Sequence, residues 1–230
     1  AGQVAIELDG LAVSQPYIDM TVGLMRHFGA AVDVDKHGVY RVEPGGYQAA
    51  DYAVEPDASS ASYFLAAAAV TGGTVTIEGL GEDSPQGDAA FAELLEQMGC
   101  TLEIGESQLT LRGGPLAGID VDMSEISDTS QTLAVVAAFA DGPTRIRGIA
   151  HARAKETDRV TAMVNELRRL GLAVDEHDDG LTVHPGPVSP ATIEVYDDHR
   201  MAMSFAVAGL RVDGIRIADP ECTAKTYPGF

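Results

Sequence analysis

Apolar residues recur at helical spacing in three segments that each stop at a glycine: Met20–Gly29, Phe91–Gly99 and Met163–Gly171. The spacing predicts amphipathic helices, and the glycine supplies the left-handed residue that closes a helix C-terminus. Behind each glycine the pattern changes to period two. Ala31–Val34 with Val39–Val42, Leu102–Ile104 with Leu109–Leu111, and Ala173–Asp175 with Leu181–His184 read as paired strands. Their polar turns, Asp35–Gly38, Gly105–Gln108 and Glu176–Gly180, have hairpin chemistry. A second pattern interleaves with the first. Helices over Ser59–Val70, Thr129–Phe139 and Arg200–Leu210 lead into strands at Thr74–Glu78, Thr144–Arg147 and Ile215–Ala218.

The three closing glycines lie 70 and 72 residues apart. The repeat is therefore strand–helix–strand–helix–strand–strand, a βαβαββ unit longer than solenoid repeats. Such units imply an α/β fold of small subdomains clustered around a shared axis. The chain enters at the strand Val4–Leu8, partway through a unit, and a boundary is expected near residues 52–56. Residues 1–55 are then a partial unit and 56–230 the main body, the whole reading as the C-terminal half of a larger protein.

Composition narrows the function. The net charge is −20, which argues against nucleic acid as a partner, since that needs a basic face. Yet seven of the fifteen Lys and Arg residues fall between Arg145 and Arg169, a local cationic zone suited to a small anion. The Ala-rich run Tyr63–Val70 is bounded by Ser and Gly and reads as a buried helix, not a membrane span. Cys100 and Cys222 lack metal-ligand spacing, so reduced thiols and a cytoplasmic home are the expectation. With no phosphate loop, no paired Rossmann glycines and no Cys/His cluster, chemistry without cofactor or metal is expected.

The candidate chemistry sits in loops at equivalent repeat positions. Ser14-Gln-Pro16, Ser84-Pro-Gln86 and Glu156-Thr-Asp158 each lie fifteen residues before a closing glycine, where a helix should open. Helix N-termini attract anions, although Ser14, Ser84 and Thr157 also fit ordinary N-caps. Asp128-Thr-Ser-Gln131 has the capping-box pattern, so Asp128 reads as a cap on spacing alone, or as a general base if it faces a cleft. Asp57 reads as a cap. Lys155 and Arg159, four apart, would share a helical face and need an anion between them. His199 and Arg200 begin a helix behind Asp197 and Asp198, which could cap it or orient the histidine. Lys225 lies in a non-periodic tail.

Ser14-Gln-Pro-Tyr-Ile-Asp, Asp57-Ala-Ser-Ser-Ala-Ser-Tyr-Phe, Arg153-Ala-Lys-Glu-Thr-Asp-Arg159, Asp198-His-Arg-Met-Ala-Met and Cys222-Thr-Ala-Lys-Thr closely resemble the 5-enolpyruvylshikimate-3-phosphate synthase family. The resemblance runs through the whole chain in register. It implies two lobes of three βαβαββ units, each an inside-out α/β barrel, with this chain as one lobe plus one unit of the other. It implies transfer of the enolpyruvyl group of phosphoenolpyruvate to the 5-hydroxyl of shikimate 3-phosphate, in the route to chorismate and the aromatic amino acids. By matching position, Ser14 would touch the shikimate phosphate, Asp128 would take the proton of the attacking hydroxyl, and Lys155 would contact the acceptor hydroxyls. Glu156 would protonate the methylene carbon, and Arg159, Arg200 and Lys225 would bind phosphoenolpyruvate with His199 close by. His151 stands where other members carry a polar residue such as Asn, beside the acceptor ring. The remaining site residues are expected upstream of Ala1, on an N-terminal lobe. This piece alone is then expected to be inactive, and the complete protein monomeric.

Two alternatives compete: transfer to UDP-N-acetylglucosamine, and a non-catalytic anion-binding or assembly module of the same fold. The Lys-Glu-Thr-Asp-Arg and Asp-His-Arg-Met motifs favour the shikimate acceptor, and the mixture of carboxylates with cations speaks against a mere module.

Overall fold

A computed structural model describes residues 2–10 and 12–230. The first segment forms β1 (Val4–Ile6), α1 (Gln15–His27), β2 (Val32–Val34) and β3 (Tyr40–Val42). Next come α2 (Ala58–Thr71), β4 (Thr74–Glu78), α3 (Phe91–Gln97), β5 (Thr101–Ile104) and β6 (Gln108–Arg112). The following stretch contains β7 (Asp120–Asp122), α4 (Ser130–Ala137), β8 (Thr144–Arg147), α5 (Arg159–Arg169), β9 (Ala173–His177) and β10 (Gly180–His184). The last part is β11 (Thr192–Ile193), α6 (His199–Ala208) and β12 (Arg216–Ile217).

The stretch from β7 to β10 is one complete βαβαββ unit. Its sheet runs β7-β8-β10-β9, with β7 parallel to β8 and the other pairs antiparallel. The sheets β1-β3-β2 and β4-β6-β5 repeat its antiparallel part, and β11-β12 repeats its parallel pair. The three expected hairpins are present as β2–β3, β5–β6 and β9–β10. Gly29, Gly99 and Gly171 all have positive φ, as their places after helices require. At Gly99 a side chain is also excluded by packing, because a Cβ there would lie 2.4 Å from the Pro115 carbonyl oxygen.

Burial sorts the helices into two kinds. α2, α4 and α6 carry apolar residues nearly all round, and every residue of α4 is buried. These three pack on one another, with sheets covering them from outside. Their contact is pinned by a chain of buried hydroxyls, Ser62 Oγ to Thr132 Oγ1 and Thr132 Oγ1 to Ser204 Oγ, both 3.2 Å. α5 instead buries one face and exposes Asn165, Arg168 and Arg169. A large apolar core spans residues 58–208, whereas Val22, Val32 and Tyr40 form a small separate cluster beneath α1.

Several expectations about helix starts are corrected. Asp57 caps α2 as expected, accepting from Ser59 N at 3.0 Å. Asp158, not Thr157, caps α5 by accepting from Thr161 N. Ser84 caps no helix; its hydroxyl donates to Glu55 Oε2 at 2.7 Å, and a 3-10 turn over Gly87–Ala90 precedes α3. Ser14 does occupy the cap position of α1, but in a left-handed conformation with no side-chain capping bond.

Candidate functional site

Three chain segments arrive together at the N-terminal ends of α4, α5 and α6. A 3-10 turn, Ser127–Thr129, carries Asp128 between β7 and α4. A second, Ala150–Ala154, delivers Lys155 and Glu156 to the start of α5, whose first residue is Arg159. Asp198 caps α6 by accepting from Arg200 N at 2.9 Å, which sets His199 and Arg200 on the helix's first turn. A final 3-10 helix, Pro220–Lys225, brings Lys225 across. The convergence follows from the repeat, since the Asp128 and Asp198 segments occupy the same strand-to-helix crossing of successive units, and the Lys155 segment occupies the next crossing of the first of them.

Arg159 is the hub. Its side chain is 1% exposed, and a guanidinium so deeply buried needs full pairing. Nε and Nη2 contact Asp198 at 2.7 and 3.3 Å, Nη1 contacts Asp128 Oδ1 at 3.1 Å, and Nη2 contacts Glu156 Oε2 at 2.6 Å. Asp128 in turn meets Lys155, Arg159 and Arg200, the last at 3.0 Å. Glu156 accepts from Lys225 at 2.8 Å. In this set Lys155, Arg159, Arg200 and Lys225 face Asp128, Glu156 and Asp198, leaving one positive charge in excess.

That geometry overturns two sequence expectations. Asp128 is not a cap: Thr129 holds the cap position of α4, and the Asp128 carboxylate turns to the cations instead. Lys155 and Arg159 do not share a helical face, because Lys155 precedes α5 in a non-helical conformation. They meet at one oxygen, Asp128 Oδ1, which is the anion that two adjacent cations require.

Burial alone would raise the pKa of Asp128, but Arg200, Lys155 and Arg159 outweigh it and hold the carboxyl down at about 2. At Glu156 burial is likewise outweighed, by the bond from Lys225 and the charge of Arg159, giving about 2. Burial pushes both His151 and His199 down, aided by Lys155 at the first and Arg200 at the second. His199 is 3% exposed, and its Nδ1 has no hydrogen-bond partner among the described residues.

His151 Nε2 lies 2.8 Å from Ser127 Oγ, and Lys155 Nζ lies 3.2 Å from the same oxygen. Ser14 stands outside the ion-pair cluster; its backbone N–H donates to the Ser124 carbonyl at 3.2 Å, near the Asp128 turn. Sequence reasoning missed Ser127 altogether and treated Asp198 only as a cap or a histidine partner. The available signal was the repeat itself, since Asp57, Asp128 and Asp198 are equivalent positions 71 and 70 residues apart. Among the described residues no group of His, Cys, Asp and Glu side chains is arranged to hold a metal, and no helix is long and apolar enough to cross a membrane.

The arrangement can bind an anion by exchange, with an incoming phosphate or carboxylate taking cations from Asp128 and Glu156. The 3-phosphoshikimate 1-carboxyvinyltransferase of Nostoc punctiforme is 52% identical over 226 residues, 97% of this chain and 53% of its own length. The same-named protein of Trichormus variabilis is 51% identical over 227 residues. A solved EPSP synthase from Acinetobacter baumannii superimposes with a TM-score of 0.80 at 30% identity, over 99% of this chain and 55% of its own. The chain thus spans about half the length of these relatives. The family model described as EPSP synthase (3-phosphoshikimate 1-carboxyvinyltransferase) matches residues 1–230, and the chain belongs to that family.

Proposed function

We propose that this chain supplies one wall of an enolpyruvyl transferase site, moving the enolpyruvyl group of phosphoenolpyruvate to the 5-hydroxyl of shikimate 3-phosphate with release of phosphate. The observation that carries the reading is the convergence of Lys155, Arg159, Arg200 and Lys225 on Asp128 and Glu156 in an otherwise acidic chain. Residues 1–55 would be a unit of one lobe and 56–230 most of the other. The remaining half of the family's length would provide the facing wall.

In this reading Arg159, Arg200 and Lys225 hold the phosphoenolpyruvate carboxylate and phosphate, with His199 beside them. Lys155 and His151 face the acceptor ring, and Ser14 its phosphate. Transfer requires a proton on the methylene carbon, attack of the acceptor oxygen on the neighbouring carbon, removal of the hydroxyl proton, and then loss of phosphate with return of the methylene proton. Asp128 is ionised, and it becomes a better base for the hydroxyl proton once the arriving anion draws Arg200 and Arg159 from it and lifts its pKa. Glu156 is ionised too, so it becomes an acid only once the arriving anion engages Lys225 and Arg159 and lifts its pKa.

The test is Arg200→Ala in the full-length protein containing this chain. The KM for phosphoenolpyruvate should rise at least about tenfold, the scale of one lost charge-assisted bond, with the KM for shikimate 3-phosphate changing far less. An equal loss for both ligands contradicts the assignment.

A further inference from the structure

Asp88 is among the buried carboxylates that the proposed reaction leaves unused. Asp88 is 4% exposed on the 3-10 turn Gly87–Ala90. Its Oδ2 accepts from Tyr17 Oη at 3.0 Å and from the Ser59 hydroxyl in a close contact, while Oδ1 has no partner among the described residues. Burial raises its pKa, and both hydroxyl donors oppose that rise. The turn is pressed against the start of α1, since a Cβ on Gly87 would lie 2.5 Å from Pro16 Cβ.

Ser59 links this carboxylate to the site. A hydroxyl has one proton, and Ser59 spends it on Asp88, so its lone pairs face the other neighbour. That neighbour is Arg200, whose Nη2 lies 3.4 Å from Ser59 Oγ and 3.0 Å from Asp128 Oδ2. We propose that Asp88 is a positioning residue for Arg200: by taking the Ser59 proton it turns the Ser59 oxygen toward the guanidinium, and by accepting from Tyr17 it ties the first turn of α1 to the same point. Arg200 is then held between Ser59 and Asp128, aimed for an anion. The inference rests on the proposal that Arg200 binds phosphoenolpyruvate.

The experiment is a mutant cycle in the full-length protein, reading KM for phosphoenolpyruvate at saturating shikimate 3-phosphate. Asp88→Ala and Ser59→Ala should each raise KM about tenfold. The double variant should stay near tenfold and not reach about a hundredfold, because both remove one relay. Asp88→Asn should return KM to within about threefold of the parent, since its amide carbonyl still accepts from Ser59. Additive losses, or an Asn variant as weak as the Ala variant, overturn the proposal. If Asp88→Ala fails to fold, Ser59→Ala with Ser59→Thr as its rescue decides: a raised KM restored by Thr supports the relay, and an unchanged KM overturns it. Arg200→Ala separates the failures. If it leaves KM unchanged, the functional reading falls and this inference with it; if it raises KM while Ser59→Ala and Asp88→Ala do not, only this inference falls.

Discussion

Replacing Asp128 by Asn separates the two roles that its sequence position allowed. The ordinary Asp pKa of 3.8 is lowered to about 2 here, so the surroundings favour the ionised form by about 2 kcal/mol at neutral pH. Asn keeps the shape and loses that charge, which leaves Lys155, Arg159 and Arg200 without their shared counterion. Removing one partner of a largely buried pair costs about 3–5 kcal/mol, and Asp128 is 17% exposed, so about 3 kcal/mol is expected. For a chain of this size that is a melting-temperature drop of about 6–12 °C. A helix cap would behave oppositely, because Asn caps as well as Asp. The assay is urea unfolding of the parent and Asp128→Asn at pH 7, with and without inorganic phosphate. Phosphate at a hundredfold excess over its Kd for the variant should stabilise the variant by about 2.7 kcal/mol, and at the same concentration the parent by less. A loss below about 1 kcal/mol, or equal phosphate effects on both proteins, would refute the idea that Asp128 balances the cations.

Acid should weaken the fold through the same groups. Asp128 and Glu156 have depressed folded-state pKa values, so their stabilisation is complete above about pH 4.5 and is lost as the pH falls toward about 2. Urea midpoints should decline over that window, and the decline should shrink in Asp128→Asn; an unchanged slope counts against the assignment. Hydrogen exchange should be faster in β1–β3 and α1, which rest on a three-residue core, than in fully buried α4. Matching protection would contradict that ranking. Gly99→Ala should destabilise by at least about 2 kcal/mol, because its φ is +111° and its Cβ space is taken by Pro115, whereas Gly23→Ala, inside α1 with open space, should stabilise by about 0.5–1 kcal/mol. Equal thermal shifts for the two would undo the backbone argument.

The repeat and its hairpins were legible because their signals are local: a glycine after an apolar helix, then alternation around a polar turn. β7 and β11 were not, since strands of three and two residues carry little periodicity and their parallel partners lie across a helix. At the site, residue types were readable but their partners were not. Asp128-Thr-Ser-Gln131 and Asp57-Ala-Ser-Ser60 look alike locally, yet Asp57 caps its helix while Asp128 is drawn away by three cations arriving from residues 155–200. Asp88 offered no signal, because its importance lies in Tyr17 and Ser59, 71 and 29 residues distant.

The proposed role of the clustered cations and carboxylates is enolpyruvyl transfer. It is tested most directly by phosphorus NMR of the full-length protein with phosphoenolpyruvate and shikimate 3-phosphate together. With phosphoenolpyruvate held near the parent's KM, the expected result is loss of its signal matched by growth of inorganic phosphate and of a new sugar-phosphate resonance, slowed about fivefold or more in Arg200→Ala. Phosphate release without the acceptor, or full turnover by the Arg200→Ala variant, would contradict it.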